Sequence, residues 1–116
     1  MSNESASYAV LEEQSCVEKL AALFPTASSV RIVAHVMTAS TGRRRLKERT
    51  VIEFGTPHEV LFSSTLPLEF EDRIRLVNSD GSLDVRATVV AVRYHGGQKA
   101  VAARFMDEVA NWIIKS

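Results

Sequence analysis

The sequence predicts a mainly β chain, a six-stranded antiparallel barrel with an N-terminal helix and a short C-terminal helix. Three observations carry this. Past Pro25 the apolar residues change from helical spacing to strict alternation. Gly- and Asp-bearing turns punctuate the alternating runs at hairpin spacing. The 116 residues, 46% of them hydrophobic, suffice for one globular core and leave little room for a second. Residues 1–25 read as a tail and amphipathic helix, and residues 26–116 as the barrel with its C-terminal helix.

The helix is expected over Tyr8 to Phe24, where Val10, Val17, Leu20, Ala21 and Phe24 recur at helical spacing and Leu11 and Leu23 widen the stripe. Ser5 and Ser7 are placed to cap it, Glu12 and Glu13 suit its positive end, and Pro25 stops it. Strands follow over Val30 to Ala39, Lys47 to Phe54 and Glu59 to Ser63, with Gly55-Thr56-Pro57 breaking the second from the third. Leu66-Pro67-Leu68 is an apolar turn. Asp72 to Asn78 alternates, Ile74 and Leu76 on one face and Arg73 and Arg75 on the other. Ser79-Asp80-Gly81 is a hairpin signal, leading into the long strand Leu83 to His95. Gly96-Gly97 turns the chain back into Lys99 to Met106, with Val101, Ala103 and Phe105 inward. Asp107 is placed to cap the last helix, whose Trp112 and Ile113 would dock on the sheet. Closing such a sheet removes the edges that invite aggregation.

Formal net charge is zero, from 14 Lys+Arg against 14 Asp+Glu. A chain that holds nucleic acid by bulk attraction is strongly basic, so composition argues against that class. No run approaches the ~20 apolar residues of a membrane span. Met1 to Ser7 lacks the basic start and apolar core of a secretory signal. Cys16, the single cysteine, excludes an internal disulfide and a cysteine-built zinc cage, and it reads as a small packed residue. The cytoplasm is the expected compartment.

Catalytic patterns are thin. His35, His58 and His95 fall in three different elements without the spacing of a zinc pair. His35 reads as a satisfied sheet histidine and His95 as solvent-facing. There is no nucleophile elbow, phosphate loop or dinucleotide fingerprint, and Glu69, Glu71 and Asp72 read as an acidic loop tip. The chain is not expected to be an enzyme. Charge is nevertheless unevenly spread: residues 31–49 hold Arg31, Arg43, Arg44, Arg45, Lys47 and Arg49 against Glu48 alone. Guanidinium groups bind phosphate bidentately and stack on flat bases, so this run is the leading candidate for a ligand contact. A solvated hairpin loop explains it equally well.

From about Arg45 onward the chain resembles a PilZ domain. The likeness runs through Leu66-Pro67-Leu68, Asp72-Arg73-Ile74-Arg75-Leu76, Ala87-Thr88-Val89-Val90 and Val101-Ala102-Ala103-Arg104-Phe105, in that order. PilZ domains are typically six-stranded bacterial barrels that bind cyclic di-GMP through an Arg-x-x-x-Arg segment and a later Asp/Asn-x-Ser-x-x-Gly segment. Arg45-Leu46-Lys47-Glu48-Arg49 satisfies the first pattern, although a strand precedes it here and the family places its arginines ahead of the barrel. For the second, Phe54-Gly55-Thr56-Pro57-His58-Glu59 puts Phe54 at Asp/Asn, Thr56 at Ser and Glu59 at Gly. Glu59 brings negative charge to where an anionic ligand would lie. A rival register through Asp80, Ser82 and Val85 also lacks the glycine and leaves too few residues for the strands that should follow.

The resemblance implies a regulatory binding module in cyclic di-GMP signalling. It would be a receptor for the nucleotide or, given the eroded motif, a protein adaptor that does not bind it. No cofactor is required, cyclic di-GMP being a ligand. Arg44, Arg45, Arg49, Thr56 and His58 are the expected contacts. A protein partner is expected, and the N-terminal helix offers a surface for it or for a second copy of the chain. The alternative function is a small RNA-binding barrel using Arg43 to Arg49 as a phosphate patch, with steeply salt-dependent affinity. It lacks the paired exposed aromatics that stack bases, Tyr94 being the candidate on a strand.

Overall fold

A computed structural model of the chain describes residues 15–38, 45–109 and 112. Helix α1 spans Cys16–Ala21. Strands β1 (Ser28–Thr38), β2 (Lys47–Gly55), β3 (Glu59–Ser63), β4 (Arg73–Asn78), β5 (Asp84–His95) and β6 (Gln98–Phe105) follow. They close into an antiparallel barrel in the order β1-β2-β3-β6-β5-β4. The expected strands are all present, with ends moved by one or two residues.

Alternation sets the inside and the outside. Ala34, Val36, Ile52, Val60, Phe62, Ile74, Leu76, Ala87, Val89, Val101 and Ala103 are buried in one interior cluster. Their neighbours Arg73 and Arg75 on β4 face water, as the alternation requires. Register shifts between Ile52 and Phe54 and between Val89 and Ala91 bend β2 and β5 around the barrel. Gly81, Gly96 and Gly97 adopt positive φ at the tips of the β4–β5 and β5–β6 hairpins, a conformation glycine enters without steric strain.

Three expectations need correction. The helix does not run unbroken from Tyr8 to Phe24. Ser15 is extended (φ −70°, ψ 160°) and caps the helix, its hydroxyl accepting from the Glu18 amide while the Glu18 carboxylate accepts from the Ser15 amide. This reciprocal Ser-x-x-Glu box starts a helix at Cys16 and is incompatible with one passing through Ser15. The helix also ends at Ala21, and Leu23, expected on the apolar stripe, is 63% exposed. Ser5, Ser7 and the stretch from Tyr8 to Gln14 lie outside the described residues.

Second, the β3–β4 link is no hairpin. β3 pairs with β6, and residues 64–72 cross to β4 on the far side of the barrel. Leu66 and Leu68 of this crossing join the interior cluster, so the segment is held by burial where a turn alone would not fix it. Third, Asp107, Glu108 and Val109 are not helical, and the remainder of the expected C-terminal helix, Ile113 included, lies outside the described residues apart from Trp112. Trp112 does dock on the sheet, its ring edge-on to Phe105 with centroids 5.3 Å apart. Its indole N–H donates to the Thr56 carbonyl at 2.9 Å.

Outside the barrel, Cys16, Val17 and Leu20 of α1 bury a second cluster on Leu61, Ala100 and Ala102. The two alanines leave room for the helix to lie close to the strands. Cys16 is buried, and its thiol donates to the Arg93 carbonyl at 3.3 Å, which fits the packed role expected of it. No described helix is long and apolar enough to cross a membrane.

Candidate functional site

The expected ligand contacts fall at opposite ends of β2. Arg45 precedes the strand and Arg49 lies near its start, both exposed. Arg49 sits opposite His35 in the β1–β2 ladder. Thr56 and His58 lie past its other end, in the turn to β3. The intervening strand spans on the order of 20 Å at ~3.3 Å per residue, so the two groups do not meet. Arg43 and Arg44 lie outside the described residues. The start of β1 approaches the Thr56 end, Ser28 pairing with Gly55, and residues 24–29 bring no arginine to it.

At the Thr56 end the polar atoms are spent on one another. The Thr56 hydroxyl accepts from the amides of His58 (3.0 Å) and Glu59 (2.8 Å) and donates to Glu59 Oε1 at 2.5 Å. The Thr56 amide donates to the Glu59 carbonyl, and the Phe105 amide to the His58 carbonyl. Amides that would greet an approaching anion therefore already have an internal acceptor. The Glu59 side chain is 11% exposed, and Arg104 grips its Oε2 through Nε at 2.9 Å and Nη2 at 2.6 Å. Burial by itself would push the Glu59 carboxyl up. The Thr56 and Arg104 hydrogen bonds and the Arg104 charge outweigh it and hold the group below the usual value. Glu59, expected at the glycine of the PilZ pattern, is thus a paired structural carboxylate. The exposed His58 lines a shallow open groove with Arg104, Met106, Asp107 and Glu108.

The arginine end is open by contrast. Among the described residues, Arg45 and Arg49 make no side-chain hydrogen bond or ion pair. Nearby, Glu48 accepts from the Ser64 hydroxyl at 2.7 Å and from the Thr65 amide and hydroxyl, tying the crossing segment to β2. Burial pushes Glu48 up, but these bonds and the Lys99 charge bring it below the usual value. Lys99 donates to the Leu66 carbonyl and lies 5.9 Å from the Tyr94 ring centre. Glu48 and Lys99 are therefore occupied in holding the fold.

Sequence reasoning missed Arg104 as the partner of Glu59. The two are 45 positions apart, and their contact follows from the β3–β6 pairing, which has no local signal. His35 is half-buried on the outer face of β1, with no side-chain hydrogen bond to a described residue. No cluster of three or more His, Cys, Asp or Glu side chains suited to a metal ion occurs among the described residues.

Neither a family model nor a curated protein matches the chain. Among solved structures it is similar to the Bacillus subtilis inhibitor of motility (MotI/DgrA). The superposition has a TM-score of 0.57 at 8% identity and covers 74% of this chain and 43% of that one. At this identity the likeness is one of fold. The closed six-stranded barrel implied by the PilZ resemblance is the fold observed.

Proposed function

We propose that this chain is a PilZ-like regulatory module of bacterial cyclic di-GMP signalling that acts by protein contact, as an adaptor, and does not grip the nucleotide itself. One observation carries the reading: the Glu59 carboxylate, which the resemblance puts at the glycine of the ligand motif, is closed by Thr56 and Arg104, a strand's length from Arg45 and Arg49. An anionic ligand that drew Arg104 to itself would leave the Glu59 carboxylate uncompensated beside it. The PilZ resemblance and the fold shared with the motility inhibitor support a regulatory role, and the reading requires neither catalysis nor a cofactor. The expected setting is the cytoplasm.

Titration calorimetry of the full chain with cyclic di-GMP tests the adaptor reading. It expects no saturable heat. Saturable heat that disappears in the Arg45→Ala, Arg49→Ala double variant would instead establish a receptor with the arginines in the roles the resemblance implies.

A further inference from the structure

The barrel carries a second feature, dispersed in sequence and assembled by strand pairing. Across β2, β1, β4 and β5 the register aligns Lys47, Met37, Arg75 and Arg86 in one outward row. The next row is Arg49, His35, Val77 and Asp84. Two such rows cover about 15 Å across the strands, at ~4.8 Å per strand spacing. Arg73 extends the basic side on β4, and Val33 and Val51 continue the half-buried apolar strip on β1 and β2. Asp84 is the carboxylate within the two rows, and Arg75 holds it with Nε at 2.8 Å and Nη2 at 2.7 Å. Asp107 and Glu108 bound the face beyond Arg86, across an open groove. Helix α1 packs mainly over β3 and β6, on the other side of the barrel, and reaches the adjoining parts of β2 and β5, where the Ser15 hydroxyl donates to Glu53.

We propose that this face of β2, β1, β4 and β5, which no described helix covers, docks an acidic amphipathic segment of a partner protein. The inference rests on the adaptor reading, for which it supplies the surface. Arg75 and Arg86 stand directly opposite one another, a like-charge pairing that weakens a sheet. Asp84 relieves Arg75, whereas Lys47, Arg49, Arg73 and Arg86 have no anionic side-chain partner among the described residues. A segment with carboxylates flanking an apolar ridge complements both features: its acids reach the flanking cations, and its ridge lies on Met37, Val77 and Val33. Arg75 already shows the two-pronged carboxylate geometry such a partner would use. Nucleic acid fits less well. Neither row carries a Phe, Tyr or Trp ring for a base to stack on, and the one imidazole, His35, is half-buried.

The test is fluorescence anisotropy of the full chain with a labelled synthetic peptide of repeated Glu-Leu-Leu-Glu. A labelled oligouridine runs alongside it. The expected result is saturable peptide binding, weakened about tenfold or more by the Lys47→Glu, Arg86→Glu double variant. The Arg93→Glu variant, altered on the helix-covered side, should bind the peptide like the unmodified chain. Absence of peptide binding, equal weakening by Arg93→Glu, or preference for oligouridine over the peptide would each overturn the assignment. The calorimetric titration is independent of these outcomes. Nucleotide heat with peptide binding would remove the adaptor reading and leave the surface. No heat and no peptide binding would remove the surface and leave the adaptor.

Discussion

The outside of this barrel has two contrasting sides. On one, Leu61, Ala100 and Ala102 lie beneath α1 and are buried. On the other, residues at the same outward parity are Lys47, Arg49, Arg75 and Arg86, and they meet water. Alternation alone cannot separate these sides, because both are simply the non-core positions of a strand. The outward side chains decide. Small apolar residues make a bed for a helix, whereas a run of guanidinium groups excludes one. One side therefore holds the fold together, and no described helix covers the other.

The contrast is broken most sharply by paired truncations. Leu61→Ala should lower unfolding free energy by about 3 kcal/mol, because it removes buried methyl groups beneath the helix. Val77→Ala, on the bare side, should lower it by less than about 1 kcal/mol, since its site is already partly open to water. Urea denaturation of both variants makes the comparison, and similar losses would erase the distinction between the sides. Next in size is Arg104→Ala, which leaves the buried Glu59 carboxylate without its cation. A loss of roughly 1–2 kcal/mol is expected, tempered because the Arg104 side chain is 59% exposed.

Acid sharpens the same point. Glu59 and Glu48 both titrate below their ordinary value near 4.5 in the folded chain. The native state therefore binds fewer protons than the unfolded one. The stabilisation is complete above that value and is lost as pH falls through the folded-state values. Urea midpoints measured downward from about pH 6 should fall, and less steeply in Glu59→Gln. Glu53, near α1, behaves oppositely. Burial raises it, the Ser15 hydrogen bond opposes that, and Glu18 adds to it. Its burden is present at neutral pH and lifts on acidification, so Glu53→Gln should slightly stabilise the chain at pH 7. The smallest effect belongs to the bare side. Asp84→Asn should leave the melting temperature unchanged within error, because the Arg75 pair is solvent-exposed.

Much of this fold was legible because alternation is a local signal. Ile74 and Leu76 inward with Arg73 and Arg75 outward, and Val101, Ala103 and Phe105 inward, follow from period two alone. Ring order was not legible. Nothing local in Glu59–Ser63 states that its second neighbour is β6, and with that pairing went both the Glu59–Arg104 contact and the crossing through Leu66 and Leu68. The basic face escaped for the same reason, since Arg49 and Arg86 share a surface only once β1 and β4 lie between them. The helix boundary is a different case. Ser15 and Glu18 form a recognisable capping signature, but the apolar stripe continues on both sides of it and favours a longer helix.

Amide NMR of the isotopically labelled chain titrated with cyclic di-GMP tests the central claim most directly. If the turn at Thr56 is closed and the arginines stand a strand away from it, the amide resonances of Arg49, Thr56, His58 and Glu59 should not move. Saturable shifts appearing together at both ends of β2 would contradict that account and would restore this barrel as a nucleotide receptor.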